Sequence, residues 1–457
     1  MILLLACTAG DDTGQPAEAN LRVPELELPA GPGRTILWFT MDTLNEDYIG
    51  GGGAFDSSPA HDQLFSEAVV FENTVVPRGV TVVSLPSLAT GTYPRTHSVQ
   101  SHDIPADMPP MIHQLLKAEG WATFGYSANK CHLLDDDWTE TVCTDPDEWA
   151  EAGSDDFRDS TLVDAFAEDL ERLAPERDAF FWIHFRDPHA AYSPRDPWID
   201  DFYDGDWEPR STINSEDVSA HTLGEPIPEG FQEWFEAVYA SQVRSDDELF
   251  AQIRTLLEDQ DRWDIVVTGT DHGEELGEHH DYYLHGCSTY DAVLNTTFSI
   301  RAPGFEPSLV DTHVSSIDIL PTMLELLDME WPNRIDGRSL IPLMSGEGTD
   351  AVDVFFERGP ETAGVVRGDR KYFLFPERQY TECKPFQDVP GTYWPGPSEG
   401  LFDLGDDPGE LANLMEDEPD PEEKRAVCEW VTSETWLSEE QDEISSLVGA
   451  CRRHLGL

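Results

Sequence analysis

The tightest constraint on this chain is a seven-residue run with almost no polar interruption, Thr35-Ile36-Leu37-Trp38-Phe39-Thr40-Met41, which stops abruptly at Asp42. A strand with one wetted face alternates apolar and polar residues. A continuous apolar run belongs to a strand covered on both faces, as in a parallel sheet between helices. Similar runs are Phe180-Phe181-Trp182-Ile183-His184-Phe185, Asp264-Ile265-Val266-Val267-Thr268 and Thr297-Phe298-Ser299-Ile300. Between them lie helical segments such as Met111 to Ala118, Ser160 to Leu173 and Phe231 to Leu257. This alternation predicts an α/β fold, a mostly parallel central sheet with helices on both faces. After the linker Gly346-Glu347-Gly348, the segment from Gly364 to Leu374 reads as a β-hairpin, so a smaller C-terminal α+β subdomain is expected over 346–457. The main domain, 34–345, carries a stretch over 190–230 that is too long and too rich in Pro, Asp and Trp for a plain connection. It is either a functional loop or a disordered insertion.

Charge narrows the function. Against 91 acidic residues stand 28 Lys and Arg, a net charge of −63. Nucleic acid is thereby excluded as a partner, because a phosphate backbone demands a basic face. No run of roughly 18 apolar residues is present, so no membrane-spanning helix is expected. Met1-Ile2-Leu3-Leu4-Leu5-Ala6-Cys7 looks like the tail of a bacterial lipoprotein signal, and the Gly-, Pro- and acid-rich stretch behind it has too little apolar content to fold. Residues 1–33 are therefore read as signal and tether, which implies an exported, periplasmic or cell-surface lipoprotein touching a membrane only through a lipid on Cys7. Six cysteines remain: Cys131, Cys143, Cys287, Cys383, Cys428 and Cys451. An even number in an exported chain reads as disulfide staples, and Cys131 with Cys143, flanking a short acidic loop, is the expected pair. None is spaced as in a zinc site.

Three segments carry chemistry. Asp42 ends the first strand, and Asp271 with His272 ends another, in Val267-Thr268-Gly269-Thr270-Asp271-His272-Gly273-Glu274. In such sheets reactive groups gather where strands end, and two carboxylates with an imidazole form a divalent metal site. An Asp after a strand is commonly a helix cap, but a His beside it has no capping role. In Arg78-Gly79-Val80-Thr81-Val82-Val83-Ser84-Leu85-Pro86-Ser87-Leu88-Ala89-Thr90-Gly91-Thr92-Tyr93-Pro94, a hydroxyl residue follows Arg-Gly and opens a short helix. The free N–H groups of a helix N-terminus suit phosphate or sulfate, whereas the simpler reading is a turn with a Thr cap.

In order, these segments resemble the alkaline phosphatase superfamily, in its sulfatase-like branch, from about Thr35 to Met415. Further matches are His184-Phe185-Arg186-Asp187-Pro188-His189, His285-Gly286, Val314 to Thr322, Asp336 to Leu340 and Leu401 to Glu410. In sulfatases the nucleophile is a Cys or Ser oxidised to formylglycine within Cys-x-Pro-Ser-Arg. Counted back from Thr90-Gly91, that position falls on Thr81, which cannot give the aldehyde. A rival alignment through Ser84-Leu85-Pro86-Ser87 leaves the spacing too short, and Thr81 is preferred. His272 stands where many sulfatases carry Asn, which favours manganese or zinc over calcium. The resemblance implies one divalent metal ion on Asp42, Thr81, Asp271 and His272, with Lys130, His132, His189 and His285 facing the substrate. His97, His184, His279 and His280 are read as structural or supporting. Glu274, Glu275 and Glu278 would form a solvated face or hold histidines in orientation.

The activity so implied is metal-dependent hydrolysis of sulfate or phosphate esters. Thr81 favours phosphomonoester, phosphodiester or phosphonate chemistry through a covalent intermediate, on a small-molecule or a glycan or lipid ester. The alternatives are a transferase that passes a phospho-alcohol group to surface glycans or lipids, and a catalytically inactive binding protein on the same scaffold.

Overall fold

The computed structural model describes residues 33–51, 53, 55–100, 104–129, 133–134, 137–144, 159–205, 212–348, 352–359, 362–376, 396–433 and 446–457. The expected signal and tether, Cys7, Lys130, Cys131, His132 and Cys383 all lie outside these residues.

The first strand, β1 (Thr35–Met41), is buried at every position. It runs parallel to β5 (Ala179–Phe185) on one side and β6 (Ile265–Thr270) on the other. That central place is why the run has no polar face. Outward from β5 come β3 (Ala122–Ser127) and β4 (Glu140–Cys143); outward from β6 come β7 (Asn295–Arg301), β2 (Val69–Val75) and β8 (Ser308–Val310). The short β9 (Val314–Ser315) also pairs with β2. Only the β6–β7 and β2–β7 pairings are antiparallel among the described strands of this sheet. The expected α/β architecture with a mostly parallel sheet is thus the observed one.

Alternate residues of β1 feed opposite layers. Leu37, Phe39 and Met41 pack with Phe166 of the helix Ser160–Arg172 and with Trp234, Tyr239 and Phe250 of the helix Phe231–Asp259. Ile36 and Trp38 face Leu85 and Leu88 of the helix Thr81–Thr90 and Leu320 and Met323 of the helix Ile319–Leu326. Each such side chain contributes about 1.5–3 kcal/mol by leaving water, enough together to fix where β1 ends and Asp42 begins.

A second, antiparallel sheet is built from β10 (Val354–Glu357), β11 (Ala363–Arg367), β12 (Arg370–Leu374) and β13 (Glu399–Asp403). The expected hairpin is β11–β12. The helices Glu422–Val431 and Ser446–Leu455 contribute Val427, Val431 and Leu447 to its core and are joined by the disulfide Cys428–Cys451. Cys143 and Cys287 each take part in a further disulfide. Buried Lys371 of β12 ties this unit to the larger sheet, donating to Asp291 Oδ1 at 2.5 Å and Glu410 Oε2 at 3.1 Å.

The described part of 190–230 is ordered against the core rather than a loose insertion. It holds the short helices Trp198–Phe202 and Ser215–Thr222 and a bridge between Tyr192 and Ile213. Tyr192, Ile199, Tyr203, Ile213 and Val218 are its buried anchors. Among the described residues no helix is long and apolar enough to cross a membrane.

Candidate active site

Three chain segments converge at the C-terminal ends of β1 and β6. Asp42 follows β1, Asp271 and His272 follow β6, and Thr81 is the first residue of the helix Thr81–Thr90; all four side chains are buried. The turn after His272 requires glycine: a Cβ on Gly273 would lie 2.1 Å from the Ala292 carbonyl oxygen. Gly79, two residues before Thr81, would likewise drive a Cβ to 2.2 Å from Val293 Cγ1. The glycines of both motifs therefore let the segments that carry Thr81 and His272 pack on the same stretch of chain.

Thr81 Oγ1 lies 3.2 Å from Asp42 Oδ1 and 3.2 Å from His272 Nε2. The His272 Nδ1–H donates to the Gly273 carbonyl at 2.9 Å, so Nε2 carries the lone pair and points at Thr81. Asp271 Oδ1 accepts the backbone N–H groups of Thr43 at 3.2 Å and His272 at 2.9 Å. Its other oxygen, Oδ2, is buried, without a hydrogen-bond donor, and 3.5 Å from His272 Nε2. One ligand atom each from Asp42, Asp271 and His272 lies within 4.8 Å of the others. Two buried carboxylates so close, one with an oxygen that nothing satisfies, and an imidazole lone pair beside them are the donor set a divalent cation requires. The residues fit the metal that the sequence implies.

Ser84, the rival nucleophile, sits one turn along the same helix and spends its hydroxyl on the Asp271 carbonyl. It is not part of the cluster.

Electrostatics follow from burial and from the histidines. Burial by itself raises Asp42, yet the surrounding imidazoles of His189, His184, His272 and His285 hold it well below the usual carboxylate range. Asp271, where burial dominates, is pushed up to about 7. Burial lowers His272 and takes His189 down to about 3.

His189 and His285 form the opposite wall. Their ring centres are 5.2 Å apart, and His285 is 4.4 Å from the His272 ring. His189 Nδ1 bonds the Ala190 carbonyl at 2.5 Å, and His285 Nδ1 bonds Glu274 Oε1 at 2.9 Å. Glu274 Oε2 in turn accepts the Tyr192 hydroxyl at 3.1 Å. Neither Glu274 nor Glu275 lies on a solvated face: both are fully buried, and Glu275 holds His279 at 2.9 Å. Glu278 alone of the three is exposed. His97 is remote from the cluster, bonded to Ser87 and to the Val99 N–H, and His280 is exposed.

One residue of the site was not singled out by sequence. Asn129 Nδ2 donates to Asp42 Oδ2 at 2.5 Å. It stands just beyond the end of β3 in the parallel sheet, which is the one signal that could have found it. His184, read as structural or supporting, lies with Nε2 3.9 Å from the same oxygen.

The sulfatase family model matches residues 34–329. The chain belongs to the sulfatase family, in the alkaline phosphatase superfamily. Among relatives of this chain, the multifunctional alkaline phosphatase superfamily protein PehA of Trinickia caryophylli is 27% identical over 219 residues, 43% of this chain and 40% of that protein. The chain spans under half the length of the curated relatives it first matches. A protein solved in complex with its substrate D-glucosamine-2-N,6-O-disulfate superposes with a TM-score of 0.70 at 16% identity, covering 90% of this chain and 99% of that one. The phosphonate monoester hydrolase of Agrobacterium radiobacter superposes at 0.66 and 18%, covering 85% and 92%. At these identities the two structures establish the fold.

Proposed function

We propose that this protein is a metal-dependent hydrolase of sulfate or phosphate esters with Thr81 as nucleophile, favouring phosphomonoesters, phosphodiesters or phosphonates. The observation that carries the reading is Thr81 Oγ1 at 3.2 Å from both Asp42 Oδ1 and His272 Nε2, at a helix N-terminus. Asp42, Asp271, His272 and the Thr81 oxygen would hold one divalent ion, with manganese or zinc favoured by the imidazole. When bound, such an ion supplies positive charge that acidifies the hydroxyl and offsets charge on the ester's non-bridging oxygens.

The chain's own groups account for the rest. Asp42 and His272 are both placed to accept the Thr81 proton. Oγ1 then attacks phosphorus in line, the P–O bond to the leaving alcohol breaks, and a phospho-threonine remains. His285, fixed by Glu274, stands on the wall where a donor to the departing oxygen is needed. His189, its Nδ1 committed to the Ala190 carbonyl, would take a proton through Nε2 from the water that releases the phosphate. The N–H groups at the start of the helix Thr81–Thr90 present partial positive charge to the non-bridging oxygens. Lys130 and His132 are proposed to add charge on the substrate side. PehA, described as multifunctional, and the phosphonate hydrolase of the same fold are in keeping with ester hydrolysis at phosphorus as well as at sulfur.

The test is hydrolysis of p-nitrophenyl phosphate, bis-p-nitrophenyl phosphate and p-nitrophenyl sulfate with manganese, zinc and calcium varied. Turnover confined to the sulfate ester would reject the preference for phosphorus, and no turnover with any metal would reject the hydrolase.

A further inference from the structure

A second group of buried carboxylates shares the loop that carries His189. Asp159 is the N-cap of the helix Ser160–Arg172, Asp187 follows β5, and Asp246 lies in the middle of the helix Phe231–Asp259. Their exposures are 4%, 4% and 2%, and one oxygen of each lies within 4.8 Å of the others. Asp159 is engaged by backbone: its Oδ1 accepts the Arg186 N–H at 3.1 Å and its Oδ2 the Asp187 N–H at 3.3 Å. Asp187 Oδ2 accepts both Nε, at 2.8 Å, and Nη2 of Arg195. Asp246 Oδ2 is different. It is buried and receives no hydrogen bond from any N–H or hydroxyl, while its carboxyl faces that of Asp159, within hydrogen-bond reach, and that of Asp187 as its strongest charged neighbours.

The local charges do not cancel. Arg195 is committed to Asp187, and the Arg186 guanidinium bonds the Ala190 carbonyl. Three carboxylates against the Arg195 and Arg186 charges, the latter acting on Asp159, still leave net negative charge in a site closed to water, which a protein meets with a bound cation or a shared proton. The set is all oxygen, with no imidazole or thiolate, and so is unlike the Asp42, Asp271 and His272 centre. Hard oxygen donors in irregular geometry suit calcium, which tolerates variable coordination, better than magnesium, which demands a regular octahedron.

We infer that Asp159, Asp187 and Asp246 form a second cation site, of the calcium class, that staples the His189 loop to the helices Ser160–Arg172 and Phe231–Asp259. Asp246 Oδ2 is the oxygen left open for the ion. The staple would fix Asp187, two residues before His189, from both flanking helices at once. The site stands on its own residues, so it survives even if the proposed hydrolysis is wrong.

Calcium binding to the full chain, stripped with chelator and held at physiological salt, is measured by titration calorimetry alongside thermal unfolding. Asp271→Asn disables the other centre and isolates this one. The Asp271→Asn chain is expected to bind calcium and to unfold at a higher temperature with it. Adding Asp246→Asn, or separately Asp159→Asn, should weaken binding by more than the roughly tenfold that loss of an outer partner costs and should erase the calcium-dependent shift. An Asp271→Asn chain blind to calcium overturns the inference without recourse to either cluster variant. So does a shift that persists in both. A calcium-blind chain whose unfolding temperature rises in chelator on Asp246→Asn holds a shared proton instead, and the cation site is then refuted.

Discussion

Thr81 Oγ1 and His272 Nε2 lie 3.2 Å apart across 191 residues of sequence. The hydroxyl opens a helix on one face of the sheet, and the imidazole closes a strand within it. Because the His272 Nδ1–H is committed to the Gly273 carbonyl, the nitrogen that meets Thr81 can accept a proton or a metal but cannot donate.

That contact makes Thr81 the residue to remove. Thr81→Ala should lower kcat/KM by at least about 10³-fold, while Thr81→Ser retains measurable turnover. Ser84→Ala should keep most activity, since its hydroxyl is spent on the Asp271 carbonyl. Mass spectrometry of quenched reactions should place a phosphate on the peptide containing Thr81. Activity that survives Thr81→Ala and disappears in Ser84→Ala reverses the assignment.

The open oxygen of Asp271 gives a prediction that needs no substrate. Without metal, Asp271→Asn removes a buried carboxylate beside Asp42 and should stabilise the chain by ~1 kcal/mol, a rise of a few degrees in Tm. With saturating manganese the order should invert, because the wild type gains binding energy that the variant lacks. Calorimetry in chelator and in manganese reads both signs; a variant less stable than wild type in chelator contradicts the site.

Glu274 acts through His285. Glu274→Gln should reduce turnover by about 10–100-fold, the usual cost of losing an orienting partner, with the fold and bound metal intact. Tyr192→Phe, one bond further out, should cost less. Equal losses from the two variants, or loss of metal in Glu274→Gln, would mark a structural role.

His279 makes the junction between the two sheets sensitive to pH. Its Nδ1 bonds Glu275 at 2.9 Å and its Nε2 the Gly409 carbonyl at 3.0 Å, so both nitrogens donate, as only an imidazolium can. Burial pulls its pKa down, but the Glu275 bond and charge outweigh that and raise it above the ordinary value. A raised folded-state pKa contributes stability that is complete below the unfolded value, about 6.5, and is lost as pH climbs through the folded one. The Tm difference between wild type and His279→Gln should therefore be largest at mildly acid pH and shrink toward alkaline pH. A difference that grows with pH would show that His279 is neutral in the fold.

Much of this protein is legible along the chain. The nearly uninterrupted apolar runs of β1, β5 and β6 announce a sheet covered on both faces, because only a strand without a wet side can forgo alternation. Their abrupt polar ends mark Asp42, Asp271 and His272, and the ordered motifs mark Thr81, His189 and His285. What the chain does not announce is partnership. Glu274 and Glu275 sit in an acidic stretch that reads equally as a solvated face or as support for histidines, and only the fold decides for the second, burying each against a histidine. Asn129 looks ordinary until β3 and β5, adjacent only in the folded sheet, bring it with His184 to Asp42. Asp159, Asp187 and Asp246 are scattered among 91 acidic residues until a strand and two helices enclose them. Periodicity reports which face of an element is dry, a property of neighbours along the chain. Which charge meets which is settled by the packing of distant segments, where water is gone and each buried group is held by the partner that tertiary structure supplies.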